Sequence, residues 1–121
     1  MRNSFSVGTD IVEVPRIRKL INSRKFLDRV FTSSEQSYCL ARKNSAQHFA
    51  VRFAAKEAVW KALSDLDIKG IGHKEIGVGR TALGQPRVLL SGRLKKFEKR
   101  IALSLSHSRE YAVAVALFQK K

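Results

Sequence analysis

The chain has 121 residues, 44% of them hydrophobic, which is enough for a single domain over residues 1–121 and too few for two comfortable ones. Lys and Arg number 24 against 10 Asp and Glu, so the net charge is +14 and we expect an anionic substrate or partner. The single cysteine, Cys39, excludes an internal disulfide, and no apolar run approaches the roughly 18 residues that a membrane-spanning helix needs.

The first predicted element is a strand over residues 5–12. Small or polar residues alternate along it with an apolar set formed by Phe5, Val7 and Ile11. Asp10 belongs to the other set and is predicted to point away from the apolar face. Pro15 then suits the first turn of a short helix that runs to Ile21, because its missing N–H has no helical partner there.

A capping box predicts where the next helix begins. The hydroxyl of Thr32 can accept from the backbone at Glu35 while the Glu35 carboxylate reaches back to the backbone of Thr32. The helix is predicted to run to about Arg42.

The longest periodic segment predicts a helix from Ser45 to Leu63. At 100° per residue an aromatic stripe lies beside a strip of small residues, the two sets being Phe49, Phe53 and Trp60, and Ala50, Ala54 and Ala58. A helix that is apolar nearly all round belongs inside a fold, so its charges need partners. Glu57 lies one turn before Lys61, and the residues alone allow either a solvated ion pair or a functional carboxylate.

The second half of the chain predicts mainly strands. Five of the seven glycines lie between residues 64 and 86, which indicates a loop, a short strand over 75–78 and a turn at 84–86. A strand over 87–90 and a Ser-capped helix over 91–100 follow, and a hairpin then pairs residues 101–107 with the doubly apolar, central strand 111–118. His107 ends the first hairpin strand. This order predicts an α+β fold with helices packed on one face of a largely antiparallel sheet.

The distribution of charge bears on the class of partner. A strongly basic small protein could bind nucleic acid, but here Lys and Arg are spread along the chain, with small clusters at 16–19, 93–100 and 120–121. The sequence has no RNP-type aromatic motif, zinc-ligand spacing or basic zipper, so a nucleic-acid partner is disfavoured. The first 15 residues lack a signal-peptide pattern, and we expect a cytoplasmic protein without a membrane anchor.

Three segments resemble the signature blocks of holo-acyl-carrier-protein synthases. They read GTDIVE followed by Arg16 and Ile17, then RFAAKEA followed by Lys61 and Ala62, and finally LSHSREYA; between the first two, RVFT with Glu35 also matches. The blocks occur in the family's order and spacing over essentially the whole chain, and the second is the most specific. The loop at 64–72, Gln85 and Pro15 depart from the usual family pattern.

The resemblance implies both the fold and the reaction. It implies a 4'-phosphopantetheinyl transferase fold and transfer of 4'-phosphopantetheine from coenzyme A to a serine of apo-acyl carrier protein. The other product is adenosine 3',5'-bisphosphate, and the reaction serves fatty acid biosynthesis. By the same resemblance Asp10 and Glu57 hold Mg²⁺ on the pyrophosphate of coenzyme A, which suits a hard cation that prefers oxygen ligands.

Further site residues follow from the same resemblance. Lys61 is implied in phosphate binding and catalysis, and Arg52 and Lys43 in binding the nucleotide's phosphates, commonly from a neighbouring subunit. His107 matches a family histidine near the active site, where it could bind a phosphate, order a water or act as a catalytic base. Glu35 could order a water that acts as base, although capping already explains it.

The resemblance also implies partners. Acyl carrier proteins are strongly acidic, and Arg16 with nearby basic residues such as Arg24 is expected to dock the carrier. The family implies a homotrimer with an active site at each subunit interface. A member that modifies other carriers, such as peptidyl carrier domains, is the alternative, and the short single-domain length favours the stand-alone fatty-acid type.

Overall fold

The computed structural model describes residues 4–121. Five strands and four α-helices make up the fold: β1 (Phe5–Glu13), α1 (Val14–Leu20), α2 (Arg24–Val30), α3 (Ser33–Leu40), α4 (Ser45–Ala62), β2 (Ile76–Arg80), β3 (Pro86–Leu90), β4 (Ile101–His107) and β5 (Tyr111–Gln119). Three 3-10 helices cover Ser64–Leu66, His73–Glu75 and Gly92–Arg100. None of the helices in this part of the chain combines the length and apolar character needed to cross a membrane.

The main sheet has three antiparallel strands in the order β1, β5, β4, and β2 and β3 form a separate antiparallel hairpin. The predicted α+β class, the C-terminal hairpin and the central place of its second strand are therefore confirmed. The side chains of β5 that face α4 are buried and mostly small: Ala112, Ala114, Ala116 and Phe118. Small residues there let the helix lie close to the sheet.

The closest approach of α4 to the sheet is at Gly8 of β1. A Cβ built on Gly8 would lie 1.9 Å from the carbonyl oxygen of Ala58 and 2.7 Å from the amide nitrogen of Ala62. The predicted strip of alanines on α4 is thus the surface that meets the sheet. This contact determines how closely the C-terminal half of α4 packs on β1.

The other face of the sheet is open and apolar. Alternation along β1 is as predicted, but its apolar set faces outward, and the side chains of Val7 and Ile11 are 61% and 64% exposed. Tyr111, Val115 and Leu117 of β5 lie on the same face and are also exposed. An antiparallel sheet with one solvated face normally carries polar residues there, so this face has the composition of a covered surface.

One helix was missed and one local prediction was wrong. Helix α2 was not predicted, although Ser23 caps it by accepting from the amide of Phe26, and Phe26, Leu27 and Val30 have helical spacing. The segment after Ser91 is a 3-10 helix without a side-chain cap, where a Ser-capped helix was expected. The capping box of Thr32 and Glu35 is present as predicted.

A buried ion pair joins α3, α4 and the start of β2. The Lys56 ammonium lies 2.7 Å from Oε1 of Glu35, and the two side chains are 0% and 2% exposed. Lys56 also donates to the carbonyls of His73 and Ile76, and Oε2 of Glu35 accepts from the amide of Val78. Burial lowers the pKa of Lys56 from its usual value, and the charge of Glu35 opposes that shift.

Substituting Gly8 by Ala should destabilise the fold, because the new methyl group would overlap backbone atoms of α4 that cannot move independently. We expect a loss of about 3 kcal/mol in the free energy of unfolding, measured by urea denaturation. Gly72→Ala is the matched control, since the nearest atom to its Cβ is 3.8 Å away in the Glu75 side chain. A Gly8→Ala variant as stable as the Gly72→Ala variant would contradict the close approach.

Replacing Lys56 by Met should cost about 3–5 kcal/mol of unfolding free energy, because it leaves Glu35 buried without its cation. The substitution Glu35→Gln should then cost less in the Lys56→Met background than in the wild-type protein. Denaturation of the four proteins in this double-mutant cycle measures the coupling. Strictly additive effects would show that the pair does not act as a unit.

Candidate active site

Asp10 and Lys61 meet where β1 passes beneath the end of α4. The Lys61 ammonium donates to the carbonyl of Thr9 at 3.0 Å and lies 3.4 Å from Oδ1 of Asp10. Asp10 shares its face of β1 with Gly8, so the close packing at Gly8 brings the carboxylate beside the last turn of α4. The Asp10 side chain is 18% exposed and remains open to a ligand.

Glu57 does not pair with Lys61, so the ion pair within the helix that the sequence allowed is not formed. Its Oε2 instead lies 3.1 Å from Nε2 of His73, a residue that the sequence analysis did not single out. The Glu57 side chain is 31% exposed. Glu57 and Lys61 still lie one turn apart on one flank of α4, and Asp10 contacts Lys61 from the sheet.

These residues offer oxygen ligands of the kind that magnesium prefers. Among residues 4–121 no cluster of three or more His, Cys, Asp or Glu side chains could hold a metal by itself. Magnesium usually takes one or two carboxylates and fills its remaining positions with substrate phosphates and water. Asp10 and Glu57 are two partly exposed carboxylates, and Lys61 contacts Asp10 and lies one helical turn from Glu57, which fits that pattern.

A second, basic cleft lies on the other flank of α4. It has a volume of about 340 Å³, and its cationic and histidine lining comes from α4, β2 and β4: His48, Arg52, Arg80 and His107. The rings of His48 and His107 are 6.1 Å apart between centroids. His107 is exposed, so it is not the packed histidine that such a position usually holds. Gln85 and Pro86 form part of the same wall.

Arg52 is the buried cation of this cleft, with only 4% of the residue exposed. Its Nη1 donates to the carbonyl of His48, its guanidinium lies 4.4 Å from the ring centroid of Tyr38, and its buried Nε has no hydrogen-bond partner within the described chain. A buried guanidinium with an unused N–H is suited to an anion. Arg42 and Arg80 also lie over the Tyr38 ring, so three guanidinium groups are close together here.

Two titratable groups report this positive field. The pKa of Tyr38 is lowered, mainly by a hydrogen bond from Arg42 and also by the charges of Arg80 and Arg52. Burial has the opposite effect and raises this pKa. Burial lowers the pKa of His48, and the charge of Arg52 adds to the effect. The shift at Tyr38 therefore reflects the positive charge gathered around its ring, whereas the shift at His48 comes mainly from burial.

We call Asp10, Glu57 and Lys61 the acidic half-site and the basic cleft the basic half-site. The two half-sites lie on opposite flanks of α4. Arg52 and Lys61 are nine residues apart, which at 100° per residue places them about 180° apart around α4 and about 14 Å apart along it. The sheet covers the third side of the helix, and aromatic contacts of Phe49 and Phe53 with α2 and its C-terminal end cover the fourth. One small ligand cannot contact both flanks of the same subunit.

Lys43, Arg16 and Arg24, the remaining predicted residues, do not line the basic cleft. Lys43 is exposed in the turn between α3 and α4 and does not line the basic cleft. Arg16 is exposed on α1. Arg24 on α2 is partly engaged, since it pairs with Asp28 at 3.4 Å and donates to the Gln36 side chain.

Several site residues were missed because their partners are distant in sequence. His73 directly follows the loop at 64–72 that departs from the family pattern, and only the fold brings it to Glu57. His48 and Arg80 come from different elements that meet at the basic cleft, and Tyr38 comes from a third element and contacts Arg52 and Arg80. The spacing of Tyr38, Arg42 and Arg52 could have suggested a cationic cluster only if the angle between α3 and α4 were known.

Comparison with known proteins places the chain in a family. The 4'-phosphopantetheinyl transferase superfamily model matches residues 6–116. A holo-[acyl-carrier-protein] synthase from Chlamydia felis is 47% identical over 115 residues, covering 92% of this chain and 93% of that protein. The chain belongs to the 4'-phosphopantetheinyl transferase superfamily, as a holo-[acyl-carrier-protein] synthase type.

Solved structures of the family share the whole fold. The Neisseria meningitidis holo-[acyl-carrier-protein] synthase has a TM-score of 0.82 and 31% identity, covering 95% of this chain and 98% of its own. The ACPS–CoA complex of Chronobacterium ammoniagenes has a TM-score of 0.81 and 26% identity, covering 98% and 99%. The family resemblance expected from the signature blocks is therefore confirmed, together with the fold class.

Proposed function

We propose that this protein transfers the 4'-phosphopantetheine group from coenzyme A to a serine of an apo-acyl carrier protein and releases adenosine 3',5'-bisphosphate, a step that serves fatty acid biosynthesis. The observation that carries the proposal is the meeting of Asp10 with Lys61, one turn from Glu57, in a chain of this family. Two carboxylates that can hold Mg²⁺ and a cation that can bind a phosphate oxygen are groups that support magnesium-assisted phosphoryl transfer.

The proposed cofactor is Mg²⁺, with Asp10 and Glu57 as its protein ligands. When bound there, the ion would stabilise negative charge on the pyrophosphate of coenzyme A during in-line attack by the serine hydroxyl. Lys61 would bind a phosphate oxygen beside the carboxylates and would exchange its contact with Asp10 for one to the substrate.

The basic cleft is proposed to hold the nucleotide phosphates of coenzyme A. Arg52 supplies a buried guanidinium with a free Nε–H, and Arg80 adds positive charge at the rim. His107 and His48 face the same cleft and can contact a phosphate or an ordered water. Lys43 is proposed to reach the nucleotide of a neighbouring subunit from its exposed turn.

The proposed active site is shared between subunits of a homotrimer. Because the acidic and basic half-sites lie on opposite flanks of α4, a complete site needs the acidic flank of one subunit and the basic flank of another. The open apolar face of the main sheet, with Val7, Ile11, Val115 and Leu117, is suited to packing against other copies. Oligomer formation would remove that face from water.

The proposed protein partner is an acidic carrier. Exposed Arg16, Arg18 and Lys19 on α1 and Arg24 and Lys25 on α2 form a basic surface that would attract it. The net charge of +14 would accelerate the encounter and make it sensitive to salt. Localisation in the cytoplasm belongs to the same proposal, because both substrates must be met there.

Incubation with coenzyme A and Mg²⁺ should add about 340 Da to an apo-acyl carrier protein, the mass of one phosphopantetheine group, as read by intact-protein mass spectrometry. Asp10→Ala and Glu57→Ala should each lower the rate at least about a hundredfold, because each removes a metal ligand. Asp65→Ala is the control, since that carboxylate pairs with Lys120 on the surface. Unchanged turnover in both ligand variants would overturn the metal assignment.

The same proteins allow a binding test that does not depend on the carrier. Coenzyme A with Mg²⁺ should raise the melting temperature of the wild-type protein, because a ligand stabilises the state that binds it. Stabilisation by an oligonucleotide with no response to coenzyme A would instead favour a nucleic-acid partner.

A further inference from the structure

His73 contacts Glu57, and the proposed function gives His73 no role. Its Nε2 lies 3.1 Å from Oε2 of Glu57, and both residues line a cavity of about 340 Å³ with Trp60 and Ile71. His73 belongs to the 3-10 helix before β2, and no signature block contains it. The contact joins an unassigned side chain to a predicted metal ligand.

The direction of the hydrogen bond follows from the acceptor. A carboxylate accepts hydrogen bonds and does not donate them, so the His73 ring donates through Nε2–H to Oε2 of Glu57. The bond restricts the orientations that the carboxylate can adopt and leaves Oε1 available to a metal ion.

The His73 ring is itself held in place from two directions. It stacks on the ring of Phe53, with centroids 5.6 Å apart and an interplanar angle of 17°. Its backbone carbonyl accepts from the buried ammonium of Lys56 at 3.0 Å. Phe53, Lys56 and Glu57 all belong to α4, so one stretch of helix both carries the carboxylate and holds the residue that orients it.

We propose that His73 is a positioning residue that orients the Glu57 carboxylate for magnesium. This inference rests on the proposed function, in which Glu57 is a metal ligand. Hydrogen-bond partners of this kind restrict the orientations of a ligand before the metal arrives, and their loss typically weakens metal binding 10–100-fold. The role is distinct from catalysis, because His73 acts through Glu57.

The test measures metal binding directly, with Mn²⁺ as a paramagnetic substitute for Mg²⁺. Free Mn²⁺ is followed by electron paramagnetic resonance during titration of the protein saturated with coenzyme A. Three variants are compared with wild type: His73→Phe, His73→Gln and His73→Asn. Phe keeps the stack on Phe53 without a donor, Gln places an amide N–H near the position of Nε2, and Asn has an amide too short to reach Glu57.

We expect His73→Phe and His73→Asn to raise the Kd for Mn²⁺ about tenfold or more, and His73→Gln to recover most of that loss. In transfer assays the Mg²⁺ concentration for half-maximal rate should rise in the same order, while kcat at saturating Mg²⁺ should change less. Melting temperatures measured without metal separate these effects from loss of fold. A Phe variant that unfolds leaves the comparison of Gln with Asn, which differ by one methylene.

Different results would overturn the positioning role of His73 and the metal assignment of Glu57. Equal Kd values for Mn²⁺ in wild type, the Phe variant and the Asn variant would overturn the role of His73. Equal weakening in the Gln and Asn variants would also overturn it, since the donor would not matter. Absence of Mn²⁺ binding by wild type would overturn the metal assignment of Glu57 itself, and the inference with it.

Discussion

The buried ion pair of Lys56 and Glu35 is the interaction on which the rest of the architecture depends. Lys56 projects from the middle of α4 and satisfies its charge with Glu35 on α3 and two carbonyls at the start of β2. A buried charge without such partners would be strongly unfavourable, so these elements must assemble together. The same contacts place His73 against Glu57, which links the core to the proposed site.

Helix α4 carries residues of both half-sites, and their positions around the helix axis decide which way each half-site faces. Its alanine strip lies on the sheet, its aromatic residues contact the region of α2, and the two flanks between them carry the acidic and the basic functional groups. A buried central helix can therefore present two functional surfaces that face away from each other. In the proposed function, association of copies would bring the two flanks together in one active site, and it would also cover the open apolar face of the sheet.

Much of the fold follows from local patterns in the sequence. The capping box at Thr32 and the long apolar helix were predicted correctly because each is set by neighbours within a few residues. The outward direction of Val7 and Ile11 could not be predicted, because alternation identifies two faces of a strand without saying which one is covered. Helix α2 was missed although its Ser23 cap and apolar spacing were available.

The sequence named candidate site residues but did not predict their contacts. Asp10, Glu57 and Lys61 were identified through the signature blocks, and Asp10 and Lys61 do meet. The pairing of Glu57 with His73 depends on a loop whose path is set by the buried Lys56, and no local pattern encodes it. The nine-residue spacing of Arg52 and Lys61 already places them on opposite sides of a helix. Only the fold shows that the sheet and α2 cover the two sides between them.

The central claim is that one active site combines the acidic flank of one subunit with the basic flank of another. Glu57→Ala and Arg52→Met subunits carrying different tags can be co-expressed, and trimers that contain both can be purified through the two tags in turn. Each mixed trimer would hold one interface with both flanks intact, so it should recover about one third of the wild-type transfer rate, while each variant alone is nearly inactive. Mixed trimers no more active than the separate variants would contradict the shared site.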